Sequence, residues 1–121
     1  MEKTILIVDD SESIIEVVQF TLENNSYNVI KAYNGKEALQ YFDGRSIDLL
    51  LTDLHMPEMN GIDLIKEVRK NDSYNSMPIL FLTTESQAEK KMEAKEAGAT
   101  GWIVKPFAPP KLLAAIKKVI R

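Results

Sequence analysis

The sequence contains no cysteine, one histidine and no long hydrophobic run. The absence of cysteine excludes disulfides, thiolate metal sites and thiol nucleophiles. No apolar run approaches the ~20 residues that a membrane-spanning helix needs. The start of the chain is not typical of a signal peptide either, since two aspartates follow its short apolar run. We therefore expect a cytoplasmic protein that folds without disulfides.

The chain also lacks a basic excess, because its formal net charge is −3. No basic arm or stripe offsets this charge, which argues against binding to nucleic acid. The basic stretch that contains Lys117, Lys118 and Arg121 fits the end of a last helix, where cations are favoured. A length of 121 residues, without repeats or linkers, predicts one domain.

Strand-like and helix-like segments alternate along the sequence. Four apolar runs predict strands, and a fifth strand is expected near residues 27–33; the runs are Thr4–Val8, Ile47–Thr52, Ile79–Leu82 and Trp102–Val104. Apolar residues at helical spacing lie between them: Ile14, Val17, Val18, Thr21 and Leu22; Ala38, Leu39 and Phe42; Ile62, Ile65 and Val68; and Leu112, Leu113, Ile116, Val119 and Ile120. Strict alternation predicts a mostly parallel sheet with helices on both faces.

Helix starts and stops are predicted from capping patterns. Capping boxes are expected at three pairs: Ser13 with Glu16, Asn34 with Glu37, and Ser86 with Glu89. Pro109 and Pro110 mark the start of the last helix, and Gly98 marks the end of the preceding one.

The fourth helix, over residues 87–97, has few residues to bury. Its apolar side chains are Ala88, Met92, Ala94 and Ala97, and like charges four residues apart add mild repulsion. Two interpretations stay open: a solvated edge helix, or a weakly anchored segment that can move.

Acidic residues follow two of the predicted strands. Asp9 and Asp10 come after the first apolar run, and Asp53 comes after the run that ends at Thr52. One such aspartate would suggest a helix cap. Three at the same sheet edge, where open α/β sheets bind ligands, repel one another unless a cation lies between them. Oxygen ligands suit Mg²⁺, and the lack of cysteine disfavours zinc.

Thr83 and Lys105 follow the other two strands. Alone, Thr83 suggests a cap and Lys105 a surface residue. Together, a hydroxyl, an ammonium and a metal could hold a phosphoryl group during transfer. Asp53 is the best nucleophile, because Asp9 and Asp10 form a pair of metal ligands. We also predict a cis peptide bond between Lys105 and Pro106.

These segments resemble the receiver domain of two-component response regulators. The matching pieces are ILIVDD, ending at Asp10; DLHMPEMNG, from Asp53 to Gly61; LTT, at residues 82–84; and GATGWIVKPF, from Gly98 to Phe107. The resemblance implies a flavodoxin-like (CheY-like) α/β fold: a doubly wound, five-stranded parallel sheet of order 2-1-3-4-5 with five helices. We expect residues 1–121 to form a single receiver domain with no output domain.

The resemblance also implies the role of each site residue. Asp53 would accept phosphate from the phosphohistidine of a kinase. Asp10, Asp53 and the backbone carbonyl of His55 would bind Mg²⁺, with Asp9 acting through water. Thr83 and Lys105 would contact the phosphoryl group. Such a protein is not an enzyme beyond catalysing its own phosphorylation and dephosphorylation.

Three further residues are assigned by the same resemblance. Trp102 stands at the switch aromatic position, which is usually Tyr or Phe; the alternative is a strand tryptophan that packs on the last helix. His55 and Glu85 stand where side chains influence access of the hydrolytic water; the alternative for His55 is a solvated loop residue without a role.

Among receivers, residues 82–87 and 98–107 look like a CheY-type chemotaxis regulator. The expected partners are a CheA-like histidine kinase, a flagellar motor switch protein or another downstream target, and a phosphatase. Phosphorylation would switch the face formed by helix 4, strand 5 and helix 5. We expect a monomer that binds neither nucleic acid nor membrane.

Alternative functions differ from this one in the residues that they require. A receiver that shuttles phosphate within a multistep phosphorelay fits the same residues. A haloacid-dehalogenase-like phosphatase needs an acid two residues after its nucleophile, but Ser11 follows Asp9 and His55 follows Asp53 at that distance. A nucleotide or flavin binder is excluded because Asp9 and Asp10 would repel phosphate in the first loop. A degenerate receiver is excluded because every charged site residue is present.

Overall fold

Five strands pair in one parallel sheet in the computed structural model, which describes residues 2–120. The strands are β1 (Thr4–Val8), β2 (Asn28–Ala32), β3 (Leu49–Thr52), β4 (Ile79–Thr83) and β5 (Gly101–Val104). Their order is β2-β1-β3-β4-β5, and every neighbouring pair is parallel. The predicted fold class and strand order are confirmed. The connections reverse direction between β1 and β3, so a crevice forms at the carboxyl ends of these two strands.

Five α-helices cover the two faces of the sheet. They are α1 (Glu12–Glu23), α2 (Gly35–Leu39), α3 (Gly61–Arg69), α4 (Ala88–Ala97) and α5 (Pro109–Val119), with a short 3₁₀ helix at Asp72–Tyr74. Helices α1 and α5 pack on one face, and α2, α3 and α4 pack on the other. The central strands β1, β3 and β4 are therefore covered on both sides, which explains their unbroken apolar runs.

No helix within residues 2–120 combines the length and the apolar character that a membrane span requires. Arg121, part of the basic stretch noted above, lies outside the described residues.

The predicted helix faces are mostly buried, with errors in α1 and α4. Ile62, Ile65 and Val68 of α3 are buried as expected. Val17 is 50% exposed, whereas Ile15 is fully buried, so α1 is rotated by part of a turn from the predicted face. The rotation follows from Ile15, Val18 and Leu22, which form the apolar stripe that meets the sheet.

The errors in α4 are Met92, whose side chain is 64% exposed, and Ala88, which is also exposed. Only Ala94 of α4 is fully buried, so this helix contributes little to the core. The end of α4 is nevertheless held, because the Arg69 guanidinium donates hydrogen bonds to the carbonyls of Tyr74 and Gly98, each 2.7 Å long.

One of the three predicted capping pairs is present, although its glutamate bonds the residue before the cap rather than the cap residue itself. Asn34 caps α2 by accepting the amide of Glu37 at 2.8 Å, and the Glu37 carboxylate accepts the amide of Tyr33 at 2.8 Å. The last helix begins at Pro109, and Gly98 ends α4 with a left-handed φ of 116°. Both of these boundaries confirm the predictions.

The predicted caps at Ser13 and Ser86 are wrong. Ser11 caps α1, accepting the Ile14 amide at 3.4 Å, because the chain enters the helix one residue after Asp10. Gln87 occupies the cap position of α4 without a side-chain hydrogen bond. The Glu85 carboxylate accepts the Gln87 amide instead, at 3.2 Å, so Ser86 lies before the cap.

Candidate functional site

Three carboxylates meet at the carboxyl ends of β1 and β3. The Asp53 amide donates to the Val8 carbonyl at 3.0 Å, which keeps the residues after the two strands in register. One carboxylate oxygen from each of Asp9, Asp10 and Asp53 lies within 4.8 Å of the others. Asp9 and Asp53 are buried, whereas Asp10 is exposed. The predicted convergence of these aspartates is confirmed.

The ammonium group of Lys105 bridges two of these carboxylates. Its Nζ lies 2.7 Å from Asp9 Oδ2 and 3.1 Å from Asp53 Oδ2. The Lys105 amide donates to the Thr83 carbonyl at 2.8 Å, which anchors the lysine at the end of β4. The Lys105–Pro106 bond is cis, as predicted.

Burial and the contacts with Lys105 shift the pKa values of this cluster in opposite directions. Burial raises the pKa of Asp9, and the charge of Asp53 raises it further; hydrogen bonds from Lys105 and from the Ser11 amide oppose these effects without cancelling them. Burial alone would lower the pKa of Lys105, but its hydrogen bond to Asp9 and the two neighbouring negative charges raise the pKa above its ordinary value. The one ammonium group therefore compensates only part of the negative charge of the three carboxylates.

This donor set fits a hard divalent cation. All three side chains offer oxygen, two of them are withdrawn from water, and the local charge is negative. Such sites suit Mg²⁺ or Ca²⁺, and they lack the nitrogen and sulfur ligands that zinc prefers.

The Asp53 carboxylate is fixed by its own loop. Its Oδ1 accepts the Leu54 amide at 2.7 Å and the His55 amide at 3.4 Å, while Oδ2 faces Lys105. A side chain at Gly61 would place a Cβ 2.3 Å from the Asp53 carbonyl oxygen and 2.6 Å from Phe81 Cε1. Gly61 belongs to the motif that begins at Asp53, but the sequence does not reveal its role, because this close approach joins segments that only the folded loop brings together.

Thr83 lies at the same edge, fully buried at the end of β4. Its Oγ1 accepts the Glu85 amide at 3.2 Å, so the hydroxyl is tied to the loop that leads to α4. The predicted contact of Thr83 with a phosphoryl group stays a prediction.

Glu85 connects the remaining predicted residues. Its carboxylate lies 2.9 Å from His55 Nε2, and its carbonyl accepts the indole N–H of Trp102 at 2.9 Å. The hydrogen bond with His55 lowers the pKa of Glu85 below its ordinary value. The side chains of His55 and Glu85, 30 residues apart in sequence, thus bridge the two loops beside Asp53.

Trp102 packs on the α4 side of the sheet. Its ring centroid lies 5.2 Å from that of Phe81, and Lys91 Nζ lies 5.9 Å from its ring centroid. The alternative in which this residue packs on the last helix is therefore wrong. Its role as a switch stays a prediction.

A family model for the response regulator receiver domain matches residues 5–117, which is most of the chain. The chain belongs to the response regulator receiver domain family. This assignment agrees with the fold and with the resemblance found in the sequence.

Receiver domains of several kinds are similar to this one. The crystallised chemotaxis protein CheY4 of Vibrio cholerae superposes with a TM-score of 0.96 at 43% identity, covering 99% of this chain and 100% of CheY4. Chemotaxis protein CheY1 of Helicobacter pylori is 37% identical over 118 residues, covering 96% of this chain and 95% of CheY1.

The alkaline phosphatase synthesis transcriptional regulatory protein PhoP of Bacillus subtilis is also 37% identical. That match covers 100% of this receiver chain but only 50% of PhoP, so the chain spans about half the length of this relative. The similarity shows a two-component response regulator receiver, and by itself it does not separate chemotaxis from transcriptional control.

Proposed function

We propose that this receiver accepts a phosphoryl group on Asp53 from the phosphohistidine of a kinase. An Asp53 carboxylate oxygen forms the new P–O bond while the P–N bond to the kinase histidine breaks, and the electron pair of that bond stays on the imidazole. The single observation that carries this proposal is the contact of Lys105 with both Asp9 and Asp53. It supports a site in which an ammonium is already positioned beside the nucleophile.

The residues around Asp53 have separate roles in this proposal. Asp10, Asp53 and the backbone carbonyl of His55 would hold Mg²⁺, and Asp9 would act through water. Bound Mg²⁺ supplies charge neutralisation for the phosphoryl oxygens. Lys105 and Thr83 hold other phosphoryl oxygens, while the Leu54 amide orients the Asp53 carboxylate. Beyond its own phosphorylation and dephosphorylation, the chain would turn over no substrate.

We further propose that the output is chemotaxis control of the flagellar motor. The support is the similarity to the chemotaxis proteins CheY4 and CheY1 in sequence and, for CheY4, in structure. The kinase would be CheA-like. Phosphorylation would draw Thr83 toward the new group, and the Glu85 carbonyl would pass the change to Trp102 on β5.

Incubation with Mg²⁺ and acetyl phosphate, followed by intact mass measurement, tests the chemistry. We expect one added phosphoryl group, which EDTA or Asp53→Asn abolishes. Asp48→Asn is a matched control, because Asp48 binds the Thr4 amide at the opposite end of the sheet. Equal labelling of the Asp53 variant and the wild type would refute the proposal.

A second measurement separates motor control from a phosphorelay. The phosphorylated chain is mixed with a flagellar switch protein or with a histidine phosphotransfer domain. We expect binding to the switch protein without loss of phosphate. Rapid transfer of the phosphoryl group to the histidine domain, without binding to the switch protein, would instead identify a shuttle.

A further inference from the structure

The peptide unit that joins Asp53 to Leu54 is held at both its carbonyl and its N–H. The carbonyl oxygen of Asp53 accepts a hydrogen bond from the Thr52 hydroxyl at 2.9 Å. The N–H of Leu54 donates to Asp53 Oδ1 at 2.7 Å, whereas the His55 amide lies 3.4 Å from the same oxygen. The shorter of these two contacts with the carboxylate therefore comes from the peptide unit that Thr52 holds.

The side chain of Thr52 is itself fixed in place. Thr52 is the last residue of β3, is 1% exposed, and pairs with Val8 of β1 and Phe81 of β4. A β-branched side chain of this kind has few rotamers available. Among the hydrogen bonds formed within residues 2–120, no other group donates to the Asp53 carbonyl oxygen. The Thr52 hydroxyl thus supplies the partner that this buried carbonyl needs.

A peptide unit is rigid and planar, so its carbonyl and its N–H turn together. If the Asp53 carbonyl turned away from Thr52, the Leu54 N–H would turn away from Asp53 Oδ1. The carbonyl also packs closely on Gly61, where an added Cβ would lie 2.3 Å from the oxygen. The direction of the Asp53 carboxylate is therefore linked, through one planar group, to the hydroxyl of the preceding residue.

We propose that Thr52 is a positioning residue for the phosphorylation of Asp53. Its hydroxyl fixes the Asp53–Leu54 peptide unit, and the N–H of this unit holds Oδ1 while Oδ2 faces Lys105. Thr52 takes no part in making or breaking bonds. The inference rests on the proposed function, since it names a residue that orients the same carboxylate for the same reaction.

The size of the effect follows from how strongly reaction rates depend on position. A displacement of about 1 Å at a reacting group can slow a reaction on the order of 100-fold. Without the hydroxyl, the Asp53 carbonyl loses its donor and the peptide unit can turn, but the close contact with Gly61 limits the movement. We therefore expect a smaller loss of rate, about tenfold.

The test compares variants that separate the hydroxyl of Thr52 from its shape. Thr52→Val removes the hydroxyl and keeps nearly the same shape, so its initial rate of labelling by acetyl phosphate at saturating Mg²⁺ should fall about tenfold. Thr52→Ser keeps the hydroxyl and should label at a rate close to that of the wild type. Thr21→Val is the matched control, because the Thr21 hydroxyl donates a hydrogen bond of the same length, 2.9 Å, to the Val17 carbonyl within α1.

A second readout separates positioning from a general effect on the fold. An amide proton that is bonded to a carboxylate resonates downfield, so the Leu54 resonance of the ¹⁵N-labelled chain reports its contact with Asp53. We expect this resonance to move upfield in Thr52→Val and to stay in place in Thr52→Ser and Thr21→Val. If Thr52→Val does not fold, Thr52→Ala is compared with Thr52→Ser, since these two variants differ only in the hydroxyl.

Labelling of Thr52→Val at the wild-type rate would overturn the proposal. Equal slowing of Thr52→Val and Thr52→Ser would also overturn it, because the hydroxyl would then not be the cause. Slowing of Thr52→Val without a change in the Leu54 resonance would show that the residue does not act through this peptide unit, and would overturn it as well.

The phosphoryl chemistry is checked separately in the wild type. If acetyl phosphate labels Asp53 equally fast in the wild type and in Thr52→Val, only the inference about Thr52 fails. If the wild type is not labelled, the proposed function fails, whatever the Leu54 resonance shows about the peptide unit.

Discussion

Gly61 shows how closely the loop after Asp53 is packed. The position has no room for a methyl group, since the Asp53 carbonyl oxygen would lie 2.3 Å from an added Cβ. Asp53 also depends on the neighbouring Leu54 amide for its orientation. At the scale of single residues, the Asp53 carboxylate is therefore fixed by backbone groups as much as by charges.

We predict that Gly61→Ala lowers the free energy of unfolding by about 3 kcal/mol, because the backbone must shift to admit the methyl group. Urea denaturation measures this change. Gly44→Ala is the control: Gly44 has a φ of 104° but open space around it, so only the conformational cost of about 1 kcal/mol is expected. Equal losses in the two variants would show that crowding at Gly61 is not the cause.

The bridge from His55 to Glu85 gives a second prediction at this scale. His55→Ala removes a 2.9 Å hydrogen bond that joins two loops beside Asp53. Because the bridge lies beside Asp53, we expect its loss to admit water and the phosphoryl group to be lost a few-fold faster. Loss of label after removal of acetyl phosphate measures the rate.

Glu85→Gln serves as the control, since a carboxamide can keep the bridge and should leave the decay close to that of the wild type. His55→Asn tests whether a shorter polar side chain restores the slow rate. Decay at the wild-type rate in both His55→Ala and His55→Asn would remove His55 from the mechanism.

At the scale of elements, the two ends of α4 are held differently. Its first residue has no side-chain cap, whereas its end is tied to α3 through Arg69. The guanidinium is partly buried, and burial lowers its pKa. The hydrogen bonds of Arg69 to two backbone carbonyls place its charge at the carboxyl end of a helix, where cations are stabilised.

We predict that Arg69→Met destabilises the fold by about 2 kcal/mol, because two buried carbonyls lose their donor. Hydrogen exchange should increase along α4 more than along α5. The matched control is Arg45→Met, since Arg45 pairs with Asp43 within one exposed loop and its replacement should change the stability little. Uniform exchange across both helices would contradict an anchoring role.

Element boundaries show what local patterns can and cannot predict. The strands were found because central strands covered on both faces read as unbroken apolar runs. The caps at Ser13 and Ser86 were wrong because a capping pattern does not say where the chain begins to turn. The contact of Arg69 with Gly98 spans 29 residues and leaves no local signal in the sequence.

At the scale of the whole molecule, two clusters of charged side chains lie apart from each other. The carboxylates meet at the carboxyl ends of β1 and β3, while lysines flank the outer edge of β5. The convergence of the site could be predicted because parallel strands end at a common edge. Strand order could not be obtained from alternation, and it came from the family resemblance.

The buried charge of Asp9 should lower the stability of the metal-free fold at neutral pH. Burial raises the pKa of Asp9, so the folded chain holds this proton more tightly than the unfolded chain. The stability due to this group is present below its ordinary pKa and is lost as the pH rises through the raised value. In metal-free protein at neutral pH, we therefore expect Asp9→Asn to raise the midpoint of thermal unfolding.

Mg²⁺ at ten times its Kd should stabilise the wild type by about 1.4 kcal/mol. The gain should be smaller in Asp9→Asn and unchanged in Asp48→Asn. Thermal unfolding with and without Mg²⁺ measures both effects. A metal response in Asp9→Asn as large as that of the wild type would mean that this carboxylate takes no part in the site.

Trp102 is the one tryptophan in the sequence. Its indole N–H donates a hydrogen bond to the carbonyl of Glu85, in the loop between Thr83 and α4. An indole that loses such a partner, or moves relative to a nearby ammonium, changes its emission. Intrinsic fluorescence excited at the indole band should therefore follow activation of the unlabelled protein in real time.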